Sequence, residues 1–259
     1  VIEGISPSIL CLAEGPENFG DCESLVRYFN NNGYWSFYDP TFYKKDALKA
    51  HLNWNRYGLK VFIKEGIPLV ESLNLFNIQH EGRIVYLRIK YESTNYSIFL
   101  IHGMSRTGEL TTQPLFVTDL YRFVKDKLVG KHDPIIIMGD FNIEPWGELL
   151  KNHNSIFSLF FEKSFTYYLN KDIEPIFYNP ILEHIQNDDN PDLIGTFYNK
   201  NYFVNMVDFP LISSRLQSYD YVFRLYTEVN GHDLLSRKKS KVYLADGFDH
   251  LPISLKLKS

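Results

Sequence analysis

The amino-acid sequence predicts a mixed α/β fold, and two kinds of segment support this prediction. Ile135 to Met138 is an uninterrupted apolar run with three β-branched residues, which is typical of a strand buried on both faces. Gln113 to Leu128 instead has apolar residues at helical spacing, which predicts an amphipathic helix. Because segments of both kinds are interspersed along the chain, the sequence indicates a mixed α/β architecture.

The first hundred residues contain one predicted helix and several predicted strands. The helix covers Glu23 to Asn32, and Gly33 follows it as a natural C-cap. Residues Arg83 to Tyr91 alternate with a period of two and have one more polar face, which predicts a half-buried strand. Further strands are predicted at Ile9–Ala13, Leu59–Ile63 and Tyr96–Ile101.

The second half of the chain is less regular. Lys151 to Lys200 is rich in Phe, Tyr, Asn and Asp but has little periodicity, and we interpret it as a lid or wall. Phe203 to Val207 has strand character, which the Asp-Phe-Pro at 208–210 interrupts. Tyr219–Leu225 and Leu251–Lys258 are predicted as the last two strands.

Composition limits the possible functions. The 259 residues, 44% of them hydrophobic, suffice for one large domain with a substantial core, so we expect a single domain over residues 1–259. A net charge of -4 and a pI near 6.1 argue against a broad basic surface that coats nucleic acid. No apolar run approaches membrane-spanning length. The two cysteines predict no disulfide framework, which favours the cytoplasm but leaves the localisation open.

Two polar side chains follow the strand that begins at Ile135. Gly139 stops the apolar run, and Asp140 and Asn142 come next with one residue between them. Alternate side chains of an extended backbone share a face, so we expect both to project from the end of the strand. There they can bind a metal, a water or a phosphate oxygen. The alternative is a strand-end turn in which they only cap backbone groups.

Other polar residues stand beside predicted strands in the same way. Glu14 follows the strand from Ile9, His102 ends the strand from Tyr96, and Asp249-His250 directly precede the last strand. Glu14 or His102 alone is more typical of a solvated or turn residue than of a catalytic one.

Taken in chain order, these features resemble the endonuclease/exonuclease/phosphatase superfamily. The specific parts are Gly-Asp-Phe-Asn at 139–142 and Asp-His-Leu-Pro at 249–252, and the resemblance extends from Ser8 to Ile253. It implies a four-layer α/β sandwich of two mixed β-sheets flanked by helices. It also implies hydrolysis of phosphoester bonds with a divalent metal, Mg²⁺ or Mn²⁺.

The resemblance further implies two metal-site residues. Glu14 matches the principal metal ligand, and a hard carboxylate oxygen suits Mg²⁺. Asp249 matches the adjacent carboxylate, a member of the same metal site.

The remaining matches imply catalytic roles. Asp140 would position or deprotonate the nucleophilic water, or bind a second metal. Asn142 and His102 would contact phosphate oxygens, where donors stabilise developing charge. His250 matches the acid/base histidine, and a carboxylate is expected to orient it.

Two carboxylates are candidates for the partner of His250. Asp220 lies in Ser-Tyr-Asp-Tyr-Val-Phe, which resembles the family's Asp-Tyr strand. Asp208 is the other candidate, but Pro210 interrupts the strand where the family continues one. We therefore favour Asp220, and we expect Glu14, His102, Asp140, Asn142, Asp220, Asp249 and His250 to line one cleft.

The sequence also departs from the family pattern. The first strand of the family, which carries an Asn near the metal, has no counterpart, and the start at Val1 resembles a truncated or processed chain. Phe248 stands where a Ser usually precedes the aspartate. These departures put the completeness of the site and its local hydrogen bonds in doubt.

The resemblance favours a metal-dependent phosphodiesterase that acts on nucleic acid, DNA or RNA. A phosphatase or phospholipase that acts on a lipid or inositol phosphate is the alternative within enzymes. A catalytically inactive binding module of the same fold is the alternative from another class. The aromatic residues of the middle region favour single-stranded or small substrates over a long duplex.

Overall fold

The structure is a computed structural model of the 259-residue chain. The residues that it describes are 6–13, 19–36, 59–74, 82–104, 112–128, 132–147, 150, 157–159, 176–187, 195–198, 204–213, 215–216, 220–238, 241–244 and 250–258.

The described residues belong to two compact units. The first unit is Ser6–His102, and the second contains the described residues from Gly103 onward. Each unit has its own buried apolar core.

The first unit contains one helix and two groups of antiparallel strands. In the order of pairing these groups are β1-β3-β2 and β4-β5-β6. Phe29 of the helix packs its ring 4.2 Å from that of Phe62, which joins the helix to the first group. The elements are β1 (Ile9–Leu12), α1 (Phe19–Asn31), β2 (Tyr34–Ser36), β3 (Lys60–Lys64), β4 (Leu69–Asn74), β5 (Ile84–Tyr91) and β6 (Thr94–His102).

The second unit contains two helices and twelve strands among its described residues. Its elements are α2 (Thr112–Leu128), β7 (Ile135–Asp140), β8 (Phe157–Leu159), β9 (Ile176–Tyr178), α3 (Ile181–Asn187), β10 (Phe197–Tyr198), β11 (Val204–Asn205), β12 (Asp208–Ser213), β13 (Tyr221–Leu225), β14 (Glu228–Val229), β15 (His232–Asp233), β16 (Leu235–Lys238), β17 (Lys241–Leu244) and β18 (Ile253–Leu257).

A mixed sheet forms the centre of the second unit, in the order β7-β12-β9-β8. The first two pairs are antiparallel, and β8 pairs with β9 in parallel. The three isoleucines of β7 are buried, as the lack of alternation predicts. β18, the last strand of the chain, forms a separate antiparallel pair with β13.

Most of the strongly patterned segments were predicted from the sequence. The structure has strands at Ile9, Lys60, Ile84, Thr94, Ile135, Tyr221 and Ile253 and helices at Phe19 and Thr112, within a few residues of the predicted bounds. The short strands of the aromatic-rich region, β8 and β9, were not predicted. Neither was α3, whose seven residues are too few to show a clear helical period.

The strand β12 corrects the expectation for residues 203–213. Of the described residues 204–207, Val204–Asn205 form the short strand β11, whereas Asp208 begins the longer strand that Pro210 was expected to interrupt. Phe141 N–H donates to Val207 O (2.8 Å), so Asp208 and Pro210 occupy the non-hydrogen-bonded positions opposite β7. The nitrogen of Pro210 therefore points to the other side, where β9 pairs only from Ile212 onward, and no hydrogen bond is lost.

Cys11 on β1 is a free cysteine with a protected thiol. The side chain keeps some exposure, but burial of the sulfur raises the thiol pKa to about 12 against the opposing charge of Lys60. The thiol is therefore protonated at neutral pH. Among the described helices, none is both long and apolar enough to cross a bilayer.

Candidate active site

The candidate site begins where β7 ends. Asp140 is the last residue of this strand and is buried, with 5% of its surface exposed. Gly139 has a φ of 145°, a backbone conformation that favours glycine, so the strand can bend just before the carboxylate. The buried strand β7 thus ends in the carboxylate of Asp140.

Asp140 and Asn142 meet through a turn. Asn142 has a φ of 52°, in the left-handed region, so the backbone is not extended as the sequence reasoning assumed. Its backbone N–H donates to Asp140 Oδ1 (2.6 Å), and its side-chain Nδ2 donates to Asp140 Oδ2 (3.0 Å). Both carboxylate oxygens of Asp140 therefore accept hydrogen bonds from the same residue, which fixes the orientation of the carboxylate.

Gly103 lies directly against this turn. Its N–H donates to Asp140 O (2.6 Å), and its carbonyl accepts from Asn142 Nδ2 (3.1 Å). A Cβ at position 103 would stand 2.1 Å from Phe141 O, so only glycine fits there. Gln113 of α2 donates from Nε2 to Asn142 O (3.0 Å) and Met104 O (3.1 Å), which ties the turn to the neighbouring backbone.

Asp208 stands directly opposite Asp140 on the neighbouring strand β12. In a non-hydrogen-bonded antiparallel pair the side chains lie on one face and close together. Phe141 and Phe209 stack with ring centroids 4.1 Å apart and an interplanar angle of 7°, which packs the two strand ends against each other. The sheet thus places two buried carboxylates side by side.

His250 completes this group. Its Nδ1 lies 2.8 Å from Asp208 Oδ2, and 33% of its side chain is exposed. The ring of Phe197 lies 4.7 Å from the imidazole, and the backbones of these two residues form an isolated antiparallel bridge. The carboxylate and the aromatic ring together hold the imidazole at the surface of the site.

The partner of His250 is therefore Asp208, which corrects the preference for Asp220. Asp220 precedes β13, and Lys258 N–H donates to its carbonyl (2.8 Å) at the far end of β18. His250 lies before Ile253, the other end of β18. At about 3.3 Å per residue, β18 separates Ile253 from Lys258 by roughly 16 Å. Asp220, which is hydrogen-bonded to Lys258, therefore lies far from the imidazole of His250. The Asp-Tyr likeness to the family selected the wrong strand.

The other predicted site residues have different outcomes. His102 is the last residue of β6 and belongs to the first unit, where it is buried and donates its N–H to Arg83 O (2.8 Å). Glu14 and Asp249 lie outside the described residues. The structure therefore brings together Asp140, Asn142, Asp208 and His250, and it separates Asp220 from them.

The clustered groups have the chemistry of a cation site. Asp140, Asp208 and His250 each offer a ligand atom, and these atoms lie within 4.8 Å of one another. Two carboxylates at that separation repel by roughly 3 kcal/mol at an effective dielectric constant of about 20. A cation bound between the carboxylates would offset this repulsion. Carboxylate oxygens are the ligands that Mg²⁺ and Mn²⁺ prefer, so the residues present fit such an ion.

Sequence reasoning missed three residues that contact the site: Gly103, Gln113 and Thr196, whose Oγ1 accepts from Asp208 N–H (3.0 Å). Gly103 directly follows the predicted site residue His102, and a glycine beside a polar strand end is a signal for close backbone approach. Thr196 and Gln113 are ordinary polar residues in the sequence. Their contacts arise only from the tertiary fold, so no local pattern could have found them.

Comparison with known proteins identifies a family for most of the chain. The family described as Endonuclease/Exonuclease/phosphatase family matches residues 1–223. No curated protein matches the chain at a significant level.

Solved structures with the same fold cover nearly the whole chain. The human Nocturnin catalytic domain with bound sulfate matches 99% of this chain and 83% of its own, at 18% identity and a TM-score of 0.56. A truncated TDP2 from Caenorhabditis elegans matches 100% and 87%, at 12% identity and a TM-score of 0.60. An AP endonuclease from Archaeoglobus fulgidus matches 100% and 91%, at 17% identity and a TM-score of 0.55.

These likenesses establish the α/β sandwich that the sequence predicted. The family consists of hydrolases that act on phosphoester bonds and generally use divalent metals. From the match over residues 1–223, together with the fold, the chain belongs to the endonuclease/exonuclease/phosphatase family.

Proposed function

We propose that this protein is a metal-dependent phosphodiesterase that cleaves nucleic acid, DNA or RNA. The observation that carries the proposal is the cluster of Asp140, Asp208 and His250 at adjoining strand ends, with a 2.8 Å contact between His250 Nδ1 and Asp208 Oδ2. Membership of a family of phosphoester hydrolases supports it.

His250 acts as the acid/base group. Asp208 accepts from Nδ1, which fixes the tautomer and directs the Nε2 side of the ring to the substrate. The side chain of Asp208 is 11% exposed and that of His250 33%, so the orienting group is shielded while the acting group is accessible. A positioned group of this kind contributes roughly 10²- to 10⁴-fold to the rate.

Asp140 is the group that positions or deprotonates the attacking water. Its carboxylate suits this role because Asn142 fixes it in one orientation. Both hydrogens of the Asn142 amide are already donated, to Asp140 Oδ2 and to Gly103 O. We therefore assign Asn142 first to positioning Asp140. A contact from Asn142 to a phosphate oxygen requires one of these bonds to open, and His102 remains the second proposed phosphate contact.

The metal would be Mg²⁺ or Mn²⁺, and the family resemblance assigns Glu14 and Asp249 to hold it, with Asp140 as a further candidate carboxylate ligand. Such an ion would neutralise phosphate charge and lower the pKa of a coordinated water. The acidic character of the described cluster supports this assignment, because without a cation two carboxylates repel an incoming phosphodiester.

A nucleic-acid substrate is supported by Trp146, four residues after Asn142 on the same loop. Its side chain is among the exposed large apolar groups at 40%, and its Nε1 donates to Glu144 Oε2 (2.9 Å), which orients the ring. An exposed, oriented indole suits stacking on a base, which contributes about 1–3 kcal/mol per base in single-stranded nucleic acid.

The test is a substrate panel with purified protein in Mg²⁺ and in EDTA. We expect Mg²⁺-dependent cleavage of single-stranded DNA or RNA and none of phosphoinositides or sphingomyelin. Trp146→Ala should raise KM for an oligonucleotide roughly 5- to 150-fold and leave cleavage of bis(4-nitrophenyl) phosphate, which has no base, close to wild type. Turnover confined to lipid or inositol phosphates would establish the alternative hydrolase. Binding without turnover in any metal would establish an inactive binding module.

A further inference from the structure

Thr196 makes contacts on both sides of the His250–Asp208 pair. It is fully buried, with 0% of its surface exposed. Its hydroxyl Oγ1 accepts from Val207 N–H (3.0 Å) and from Asp208 N–H (3.0 Å). Its carbonyl accepts from Leu251 N–H (2.8 Å), the residue after His250, and its own N–H donates to Asn205 O (3.0 Å).

The register of β12 explains why the hydroxyl is needed. Asp208 is opposite Asp140 in a non-hydrogen-bonded pair, so its N–H points away from β7. On that side β9 pairs only with Ile212 and Ser213, and it offers Asp208 no backbone acceptor. A buried N–H requires an acceptor, and Thr196 Oγ1 supplies it.

The same short segment also holds the histidine. Thr196 O accepts from Leu251 N–H, while the neighbouring Phe197 bridges His250 through the backbone and packs its ring 4.7 Å from the imidazole. The start of β12 and the residues before β18 are distant in the sequence. Residues 196–197 therefore tie together the two backbones that carry the carboxylate and the imidazole.

We propose that Thr196 is a positioning residue, which holds Asp208 and His250 in register through its hydroxyl and its carbonyl. It does not touch the substrate. Its removal displaces the carboxylate relative to the imidazole, and displacements of about 1 Å in catalytic geometry cost roughly 100-fold in rate. The predicted loss of kcat rests on the proposed function. The predicted displacement of Asp208 relative to His250 rests on geometry alone.

The experiment compares Thr196→Val with Thr196→Ser. Valine keeps the shape but removes the acceptor, and serine keeps the oxygen. The first measurement is the proton resonance of the His250 ring N–H that faces Asp208, recorded by NMR and assigned by its absence in His250→Ala. The second is kcat and KM for bis(4-nitrophenyl) phosphate in Mg²⁺. Both are read at a temperature where each variant is folded.

Ser213→Ala is the matched control. Ser213 is buried at the other end of β12, and its Oγ accepts from Ile135 N–H (2.8 Å), so its removal deletes the same kind of bond away from the site. We expect Thr196→Val to shift or broaden the histidine resonance and to lower kcat roughly 10- to 100-fold with little change in KM. Thr196→Ser and Ser213→Ala should both keep the wild-type histidine resonance and the wild-type kcat. Ser213→Ala should nevertheless lower Tm.

Three outcomes would overturn the proposal: a folded Thr196→Val with wild-type resonance and kcat, a serine variant that fails to restore them, or an equal loss in Ser213→Ala. If Thr196→Val does not fold, Thr196→Cys takes its place, since a thiol is a weaker acceptor of similar size. A folded Thr196→Cys with wild-type resonance and wild-type kcat would also overturn the positioning role of Thr196. Absence of turnover in the wild-type protein refutes the proposed function, while the resonance still decides the positioning role.

Discussion

At the level of single side chains, the contact between His250 and Asp208 determines how the site can work. The carboxylate contacts one ring nitrogen, which in the proposed mechanism leaves the other for proton transfer. The second carboxylate, Asp140, lies opposite Asp208 and is oriented by Asn142. The contribution of each of these two contacts to the rate can be tested by a separate substitution.

The carboxylate pair Asp208 and Asp220 provides the first test. Asp208→Asn should lower kcat roughly 10²- to 10⁴-fold, because an amide cannot stabilise the protonated imidazole and can favour the wrong tautomer. Asp220→Asn is the matched control and should remain near wild type, since Asp220 lies beside Lys258. Steady-state kinetics with both variants at equal folded fraction measures this. An equal or larger loss in Asp220→Asn would show that the observed pairing is not the one that operates.

Asn142 provides the second test, because it has both a functional amide and a left-handed backbone. Asn142→Ala loses the amide and strains the backbone, whereas Asn142→Gly loses the amide and relaxes it. We expect both variants to lose at least about tenfold in kcat. In urea denaturation Asn142→Ala should be less stable than Asn142→Gly by about 1 kcal/mol. Full activity in Asn142→Gly would mean that the amide does not position Asp140.

Among strands and loops, the close approach of Gly103 to the turn after β7 has the sharpest steric consequence. A Cβ at Gly103 would meet Phe141 O at 2.1 Å and Phe141 C at 2.5 Å, both backbone atoms that cannot rotate away. Gly103→Ala should therefore lower the free energy of unfolding by roughly 3 kcal/mol or displace the turn and abolish turnover.

Gly231 is the control for that prediction. It lies in the turn between β14 and β15 at a φ of 74°, with nothing within 4 Å of its Cβ position. Gly231→Ala should cost only about 1 kcal/mol from backbone strain and leave kcat unchanged. Urea denaturation and kinetics measure both variants. Equal stability of the two would contradict the steric account.

What could be predicted from the sequence follows from the range of the interactions involved. The buried run at β7 and the helical spacing of α2 are local patterns, so their existence and type were predicted. The strands β8 and β9 are three residues each and depend on pairing with distant segments, so they have no local signal. Pro210 was interpreted as a strand breaker, although a non-hydrogen-bonded position without a second neighbour accepts proline.

The same distinction applies to the site. Asp140 and Asn142 were identified because they follow a recognisable strand, and His250 because its motif precedes another. The partnership of His250 with Asp208 instead joins residues 42 positions apart, which the bridge between Phe197 and His250 and the bond from Asp208 N–H to Thr196 Oγ1 bring together. Local likeness to the family's Asp-Tyr motif therefore favoured Asp220 over the residue that the fold brings into contact.

For the chain as a whole, fold and charge lead to one chemical conclusion. Membership of a phosphoester hydrolase family gives the reaction class, and the clustered carboxylates of the second unit could hold a cation of the kind that the family generally uses. A net charge of -4 adds no general attraction for nucleic acid, so the proposed substrate would have to be bound by local contacts such as the one proposed for Trp146.

The most direct test of this account is cleavage of a fluorescent single-stranded oligonucleotide by wild-type protein and by His250→Ala. We predict turnover by the wild type in Mg²⁺, complete loss in excess EDTA and recovery when Mg²⁺ is restored. His250→Ala should keep the wild-type Tm but lose roughly 10²- to 10⁴-fold in kcat under the same conditions. Cleavage that persists in EDTA, or a folded His250→Ala with full activity in Mg²⁺, would contradict the central claim that this cluster is a metal-dependent phosphodiesterase site.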